Sequence, residues 1–395
     1  MNTKSTLSFY TTQNYIDTDF FVNTITRENG NNTLVTKNLS IYDIEELAFN
    51  LNYKLDIDDK GHSIEFEINH SKSKSPQSDF MTETIDPESK IYNYTNAISN
   101  NSRSLLFNID YAKPLKKGTL ELGIEARNQK YYNQIITDQE IEIGNTSNTS
   151  AIGNSRFNYD REIYSAYINL NKEYKKLGIQ AGVRFEHFTV DGHFLNTELT
   201  DKEIYTDAIF SIYPSAFLTY QLSENDEIQF GYSRRVDRPG INQVTPIQEW
   251  TSPLTISVGN RTLAPQFTNS LEVNYTKGNV TLGGGYRKTT DKIGRIINKD
   301  PQHIDRQILS YENYDTSDSY GIEISGSYKP KKWWTLRPSS SLYIQESIGF
   351  INNQRESIRN ALFRARISNR FNASKKLSFQ LSGSYKGKVR MYNLK

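Results

Sequence analysis

Hydrophobic and polar residues alternate with a period of two along most of the chain. In the segment LAFNLNYKLDID, Leu47, Phe49 and Leu51 point to one side of an extended strand, whereas Asn50 and Asn52 point to the other side. The turn residues DDKG come next, and the following segment, SIEFEIN, alternates in the same way. The pattern therefore predicts a β-hairpin.

The same hairpin unit occurs seven times, and the short turns recur at intervals of about fifty residues. Seven hairpins predict about fourteen strands, and one or two more are expected before Leu47. Long polar segments separate the hairpins, and we expect loops at residues 71–102, 128–160, 188–207, 237–268, 289–318 and 345–358. Short turns at one end and long loops at the other are typical of a transmembrane β-barrel.

The predicted fold class is all-β, an antiparallel transmembrane β-barrel with short periplasmic turns and long extracellular loops. Its 14–16 strands would form one domain over residues 1–395. The apolar register is almost free of charge, while the opposite register contains Glu65, Glu125, Arg184 and Glu186. A charge facing lipid at the midplane costs ~2–4 kcal/mol, so this segregation favours the barrel. A soluble solenoid or an array of β-sandwiches is the alternative, although sandwich loops are short at both ends.

Composition agrees with a barrel that encloses a polar interior. Only 36% of the residues are hydrophobic and the mean hydropathy is −0.68, yet the chain contains 26 Tyr and 19 Phe. The absence of cysteine excludes disulfides, thiolate zinc sites and a cysteine nucleophile. The net charge of +2 indicates no polyanionic partner. The sequence has no apolar run of 18 residues, and its first residues, MNTKSTLSFY, lack the apolar core of a signal peptide.

The segment YSRRVDRPGINQVTP, residues 232–246, concentrates charge at the upper end of a predicted strand. Its arginines, Arg234, Arg235 and Arg238, could bind lipopolysaccharide phosphates or an anionic substrate through bidentate hydrogen bonds. Alternatively, Arg235 and Arg238 pair with Asp237, or with carboxylates of loops or a plug, and fix the loop; we favour this structural role. A nucleic-acid partner is not expected, since the neighbouring strands are acidic on their inner side.

This segment, followed by SVGNRTLAPQFTNSLEVNY, resembles the late-barrel signature of TonB-dependent receptors, and most closely the outer-membrane barrel group common in Bacteroidetes-type bacteria. Arg261 stands where that signature usually has proline, and Gln266 where it has glutamate. The matching positions are Tyr232, Ser233, Arg235, Arg238, Pro239, Pro246, Gly259, Asn260, Leu263, Pro265, Thr268, Ser270 and Glu272. The candidate rim and loop motif comprises Arg234, Arg235, Asp237, Arg238, Pro239, Asn260, Leu263, Pro265 and Glu272.

The resemblance implies a barrel of 22 strands filled by an N-terminal plug, which the TonB complex pulls to import a scarce nutrient. The nutrient class stays open between an iron chelate, a vitamin, a glycan and a peptide. The implied partners are outer-membrane lipid, lipopolysaccharide, the TonB complex through a plug and the barrel assembly machinery. We expect a fragment of such a receptor, because the chain shows no signal peptide, plug or TonB box and ends in VRMYNLK without a terminal aromatic residue.

Catalytic, metal and cofactor sites are not expected. The histidines are scattered along the chain. His187 and His193 could meet near one strand end, but no carboxylate pattern accompanies them, so a metal site is not favoured. The segment LGGGYRK lacks the strand, loop and helix setting of a phosphate-binding loop.

Two other functions stay open at this point. A plug-less outer-membrane barrel could act as an adhesin, a scaffold or a passive pore, and a barrel enzyme would need an acid, base and nucleophile at one rim.

Overall fold

The computed structural model describes residues 3–28, 32–86, 90–143, 146–196, 203–252, 255–301, 307–351 and 354–388. His303 and the C-terminal segment 389–395, both considered above, lie outside these ranges. Almost every described residue belongs to one sheet of eighteen strands.

The strands follow one another along the chain with a single short helix among them. The first nine are β1 (Lys4–Glu28), β2 (Asn32–Asp56), β3 (Ser63–Asp86), β4 (Lys90–Leu115), β5 (Gly118–Ile143), β6 (Thr146–Tyr174), β7 (Leu177–Asn196), β8 (Glu203–Ser223) and β9 (Asp226–Asp237). After the helix α1 (Ile241–Val244) come β10 (Glu249–Ser252), β11 (Thr255–Ser257), β12 (Gln266–Lys277), β13 (Val280–Lys299), β14 (Gln307–Gly326), β15 (Tyr328–Lys331), β16 (Trp334–Ile351), β17 (Gln354–Asn372) and β18 (Ser378–Lys386).

The sheet is an antiparallel meander, as the alternation predicts. Each strand from β1 to β8 pairs with the next, β9 pairs with β12, and the order continues through β13, β14, β16, β17 and β18. The short β15 pairs with β16, and β11 lies parallel to β14. Within the described part of the chain, β1 and β18 are the two free edges, and their described side chains are exposed on both faces.

The two faces of the sheet differ as the sequence predicts. On β6, Tyr164, Ile168 and Leu170 are exposed, whereas the intervening Ser165 is buried. The exposed aromatic residues Tyr220 and Tyr328 lie close to the short turns. An apolar outer band about ten residues tall, next to the short turns, is what a bilayer requires of a β-strand.

The long segments on the other side are largely strands, and their prediction as loops is wrong in this respect. β3 and β4 cover most of residues 71–102, β5 and β6 cover most of 128–160, and the same holds at 188–207, 289–318 and 345–358. Outside the membrane both faces of a strand meet water or protein, so the alternation that reveals a strand fades. Backbone pairing continues nevertheless, because it satisfies the N–H and C=O groups.

Local hydrogen bonds close the short turns. In the first of them, Asp58 accepts bonds from the backbone N–H groups of Lys60 and His62 at 2.8 and 3.1 Å, and Gly61 adopts a positive φ of 90°. The bond from Lys60 lowers the pKa of the Asp58 carboxyl. None of the described helical residues forms a helix long and apolar enough to cross a membrane.

Glu83 is buried on the inner face of β3, well above the apolar band, and is only 2% exposed. Its carboxyl accepts a hydrogen bond of 3.2 Å from the Thr36 hydroxyl, but burial dominates and raises its pKa to about 7. Because the folded state holds this proton more tightly than the unfolded state, the contribution of Glu83 to stability is lost as the pH rises from about 4.5 to 7.

We therefore expect the wild-type chain to lose roughly 2 kcal/mol of unfolding free energy between pH 5 and pH 8 through this group. Urea unfolding in detergent at both pH values measures the loss. The Glu83→Gln variant is the control, and its pH dependence should be smaller by that amount. Equal pH dependence in the two proteins would contradict the assignment.

Candidate functional site

Residues 238–252 and 255–265, which we call the lumenal loop, are the described part of a predicted loop that leaves the antiparallel meander. β9 ends at Asp237, and the next two residues, Arg238 and the buried Pro239, lead the chain away from its neighbours. Proline has no N–H to donate to a strand, which explains why pairing stops here, as the sequence predicts. The loop contains α1, β10 and β11 before the chain returns to the sheet at β12.

The lumenal loop packs against the inner face of the sheet in its extracellular half. Phe188 and Val190 on β7 have the parity of Glu186, opposite to the outward-facing Phe185, so they point inward. Strand and loop residues share one apolar cluster, made of Ile98, Ile135, Phe157, Tyr159, Ile163, Phe188, Val190, Phe194, Val244, Ile247 and Leu263. Burial in this cluster raises the pKa of Tyr159 to about 12, so its hydroxyl stays protonated.

Arg238 ties the beginning of the loop to the wall through buried charges. Its guanidinium donates to Glu186, which is 7% exposed, and lies 4.8 Å from the centre of the Phe188 ring. Glu186 also accepts from Arg184 at 2.6 Å, and Arg184 donates in turn to Glu125 at 3.2 Å. The partner of Arg238 is thus a carboxylate of the barrel wall rather than the adjacent Asp237.

The other charged residues of the motif lie at the upper end of β9. Arg234 has the outward parity of Tyr232, and its guanidinium lies 5.0 Å from the centre of the Phe267 ring. Asp237 accepts a hydrogen bond of 2.9 Å from Gln266 on β12. Arg235 is exposed on the inner side, where it faces the lumen.

The second half of the motif holds the end of the lumenal loop against β14. Asn260 donates to the Tyr311 carbonyl at 3.0 Å, and its own side-chain oxygen accepts from Thr262. Leu263 is 3% exposed in the apolar cluster, and Pro265 is buried two residues later. The loop therefore joins the inner face of β4–β7 to β14, several strands away along the sheet.

Below the loop, the inner wall forms a polar recess of about 440 Å³. Arg235 and Asp237 line its upper side, and Glu272 and Arg287 form an ion pair of 2.9 Å at its wall. A recess with both charge signs is suited to a polar solute that carries charge. Arg235 and Glu272 thus share one inner surface, whereas Arg238, Asn260 and Leu263 anchor the loop.

Sequence reasoning missed the apolar cluster and the role of Glu186 as the partner of Arg238. A signal was present in β7, where the inward register changes from Arg184 and Glu186 to Phe188 and Val190. An inward register that turns apolar outside the membrane indicates that something covers it. Nothing in the sequence shows that the cover is a loop fifty residues further on.

Gly259 allows a close approach within the lumenal loop. Its N–H donates to the Thr245 carbonyl at 2.8 Å, and a Cβ at Gly259 would lie 2.6 Å from that oxygen.

We expect Gly259→Ala to destabilise the protein by about 1–3 kcal/mol, because backbone atoms must move. Limited proteolysis should then cut within residues 241–263 faster. Gly240→Ala is the matched control, since its Cβ would only contact Gln243 at 3.8 Å; equal cleavage of both variants would contradict the assignment.

Among the described residues, no three His, Asp or Glu side chains are grouped closely enough to hold a metal ion. His187 and His193 lie on the same face of β7, six positions apart, so their Cα atoms are about 20 Å from one another. His193 contacts Asp191 at 3.2 Å instead.

Several solved structures have a similar fold at low sequence identity. The siderophore receptor PiuA from Acinetobacter baumannii is 13% identical with a TM-score of 0.51, over 89% of this chain and 67% of that chain. The copper transporter OprC is 11% identical with a TM-score of 0.52, over 94% and 64%. The ferric citrate transporter FecA in its unliganded form is 10% identical with a TM-score of 0.50, over 95% and 65%.

This chain thus spans about two thirds of the length of those three proteins. No curated protein shows significant sequence similarity to it. A family model matches residues 55–395, which include every strand from β3 onward. The chain belongs to the outer membrane protein beta-barrel family.

Proposed function

We propose that this chain is the barrel portion of a TonB-dependent receptor that imports a scarce nutrient across the outer membrane. The observation that carries the proposal is the lumenal loop, which lies inside the extracellular half and joins β4–β7 to β14 above a polar recess. A loop that is anchored inside the barrel by a buried ion pair and an apolar cluster fits a receptor for selected solutes better than an unobstructed pore. A receptor needs such an obstruction, together with a binding surface beneath it.

The similar folds suggest which solutes to test first. Their names describe a siderophore receptor, a copper transporter and a ferric citrate transporter, so a metal or metal chelate is the leading class. A vitamin, a glycan and a peptide remain candidates, because the recess contains charged groups of both signs. The motif in residues 232–272 supports the Bacteroidetes-type group, and with it a plug, the TonB complex and the barrel assembly machinery as partners.

Uptake by cells that express the intact gene tests the proposal. Cells with the gene, cells with an in-frame deletion of it and cells without TonB are compared for uptake of ⁵⁵Fe-labelled ferric citrate and a ferric catecholate. The panel then extends to cobalamin, an oligosaccharide and an oligopeptide. We expect uptake of one of these probes to require both the gene and TonB.

Two outcomes would contradict active import. Uptake that requires the gene but not TonB would indicate a passive pore. Uptake of every probe at the wild-type level in the deletion strain would leave an adhesin or scaffold role. The Glu272→Gln variant tests the recess itself, since it removes a lumenal charge from an exposed ion pair that contributes little to stability.

A further inference from the structure

Lys292 points into the barrel, although its position in β13 predicts that it points outward. Lys288 is exposed on the outer face, and strict alternation would put Lys292 on that face too. Between them, Asp291 has a positive φ of 53° and is left out of the pairing between β13 and β14. This break reverses the alternation, and above it Ile296 is buried whereas Ile297 is exposed. Lys292 is the thirteenth residue of β13, so it lies above the apolar band.

The end of the lumenal loop holds Asp291 in this conformation. A positive φ is uncommon in a residue other than glycine and persists only where the surroundings fix it. The side chain of Asn313 on β14 donates to the Asp291 carbonyl at 2.7 Å. The same side chain donates to the Ala264 carbonyl at 3.0 Å and accepts from the Ala264 N–H at 2.9 Å. The contact with the loop therefore supports the backbone that turns Lys292 inward.

Inside the barrel, the ammonium group of Lys292 meets hydroxyl groups rather than a carboxylate. It donates to Ser317 at 3.3 Å and to Ser347 at 3.5 Å, and both serines are buried. These distances are longer than those of ordinary N–H···O bonds. Within the described part of the chain Lys292 has no ion-pair partner, and burial lowers its pKa. Since a charge removed from water costs free energy unless it is paired, stability does not explain this lysine.

Lys292 lines a recess of about 430 Å³ in the inner wall, which we call the second recess. Arg364 on β17 and Arg287 also line it, and Arg287 is shared with the recess below the lumenal loop. Arg287 is paired with Glu272, whereas Arg364 has no ion-pair partner among the residues that the structure describes. Glu323 is the carboxylate among the described lining residues. The second recess therefore has an excess of positive charge, even when Glu272 is counted.

We propose that the second recess binds an anionic group, a carboxylate or a phosphate, of the solute that passes through the barrel. Lys292 supplies a compact charge with three donors, and Arg364 can bind two oxygen atoms of the anion at once. The hydroxyl of Ser317 lies beside them. The adjoining recess holds the rest of the solute. This inference rests on the proposed import for the origin of the anion, and it selects anionic solutes among the candidate classes.

Binding of citrate and of pyrophosphate, both free of metal, to the full chain in detergent tests this site. We expect calorimetric titration at low ionic strength to show that at least one of them binds at least tenfold more tightly than the neutral sucrose. Lys292→Gln should lose at least tenfold in affinity, and Lys292→Arg, which keeps the charge, should stay within threefold of the wild type. Lys288→Gln is the matched control, because it makes the same change on the outer face of the same strand.

Urea unfolding separates a binding role of Lys292 from a structural one. Because Lys292→Gln removes an unpaired charge, its urea midpoint should equal or exceed that of the wild type. The anion that binds should raise the midpoint of the wild type but not that of Lys292→Gln, since a ligand stabilises the state to which it binds. A lower midpoint together with unchanged anion affinity would mean that Lys292 only holds β13 against β14 and β16.

The outcomes distinguish this site from the proposed import. Wild-type affinity in Lys292→Gln, an equal loss in Lys288→Gln, or sucrose binding as tight as that of both anions would exclude the site, whatever the uptake experiment shows. If the anion binds through Lys292 but uptake does not require TonB, the site stands and active import fails. Tighter binding of citrate assigns the site to carboxylates, and tighter binding of pyrophosphate assigns it to phosphates.

Discussion

Replacing Glu186 with glutamine is expected to lower the free energy of unfolding by about 3–5 kcal/mol, the cost of removing one partner from a buried ion pair. The glutamine keeps the volume of the side chain, so the loss reflects charge. Glu186 is 7% exposed and accepts from both Arg184 and Arg238, and the side chain of Arg238 is only 15% exposed. Arg238 would lose its carboxylate partner in a largely buried position, whereas Arg184, which is 30% exposed, would keep Glu125.

Urea unfolding of the refolded chain in detergent, followed by tryptophan fluorescence, measures this change. Glu272→Gln is the matched control, because the 2.9 Å pair of Glu272 and Arg287 has the same chemistry in an exposed position. It should cost less than about 1 kcal/mol. Limited proteolysis of Glu186→Gln should also cut the lumenal loop faster, since Arg238 loses its anchor. Similar losses in both variants would mean that the buried network is not what holds the loop.

Replacing Phe157 with alanine is expected to cost about 3–5 kcal/mol, as for other fully buried aromatic residues. Phe157 is 1% exposed in the apolar cluster, and its ring lies 5.6 Å from that of Tyr159. The cavity would open between β6 and the surrounding cluster, where the lumenal loop contributes Val244, Ile247 and Leu263. The same unfolding measurement applies.

Phe230→Ala is the control for Phe157→Ala, because Phe230 is 45% exposed on the outer face. Detergent or lipid can fill the space that this ring leaves, so its replacement creates no closed cavity and should cost less. Leu263→Ala links the measurement to the loop, with an expected loss of about 2–5 kcal/mol from the same cluster. If Phe157→Ala and Phe230→Ala cost the same, the extracellular half of the interior is not packed as described.

The periodicity of the sequence was sufficient to predict the sheet but not the length of its strands. The lipid-facing register of β6 is correct residue by residue at Tyr164, Ile168 and Leu170, because the membrane imposes a strict alternation there. Above the membrane that constraint ends, and β3 and β4 continue through residues expected to be a loop. Backbone hydrogen bonding between strands decides where the strands end, and the pattern of hydrophobic residues in the sequence does not show it.

For the candidate motif, too, the sequence predicted some features and only the structure showed the others. The sequence identified Arg238, Pro239, Asn260 and Leu263 as a set, and the expectation that Arg238 fixes the loop agrees with its contact with Glu186. It could not identify the partner, since Glu186 lies fifty-two positions earlier in the chain. The alternative of an anion site among the arginines stays a prediction, and Arg235 is the arginine that faces the lumen.

By itself, the sequence determined that this protein is an antiparallel barrel sheet with an apolar outer face, because each residue of a strand has a fixed side and lipid tolerates few charges. Only the tertiary structure decided what fills the interior and where charges meet. Side chains such as Lys72, Arg103 and Lys130 are about thirty residues apart in sequence and become neighbours only through strand register. The packing of the lumenal loop against β4–β7 likewise joins residues that are far apart in the chain, and no local pattern encodes that contact.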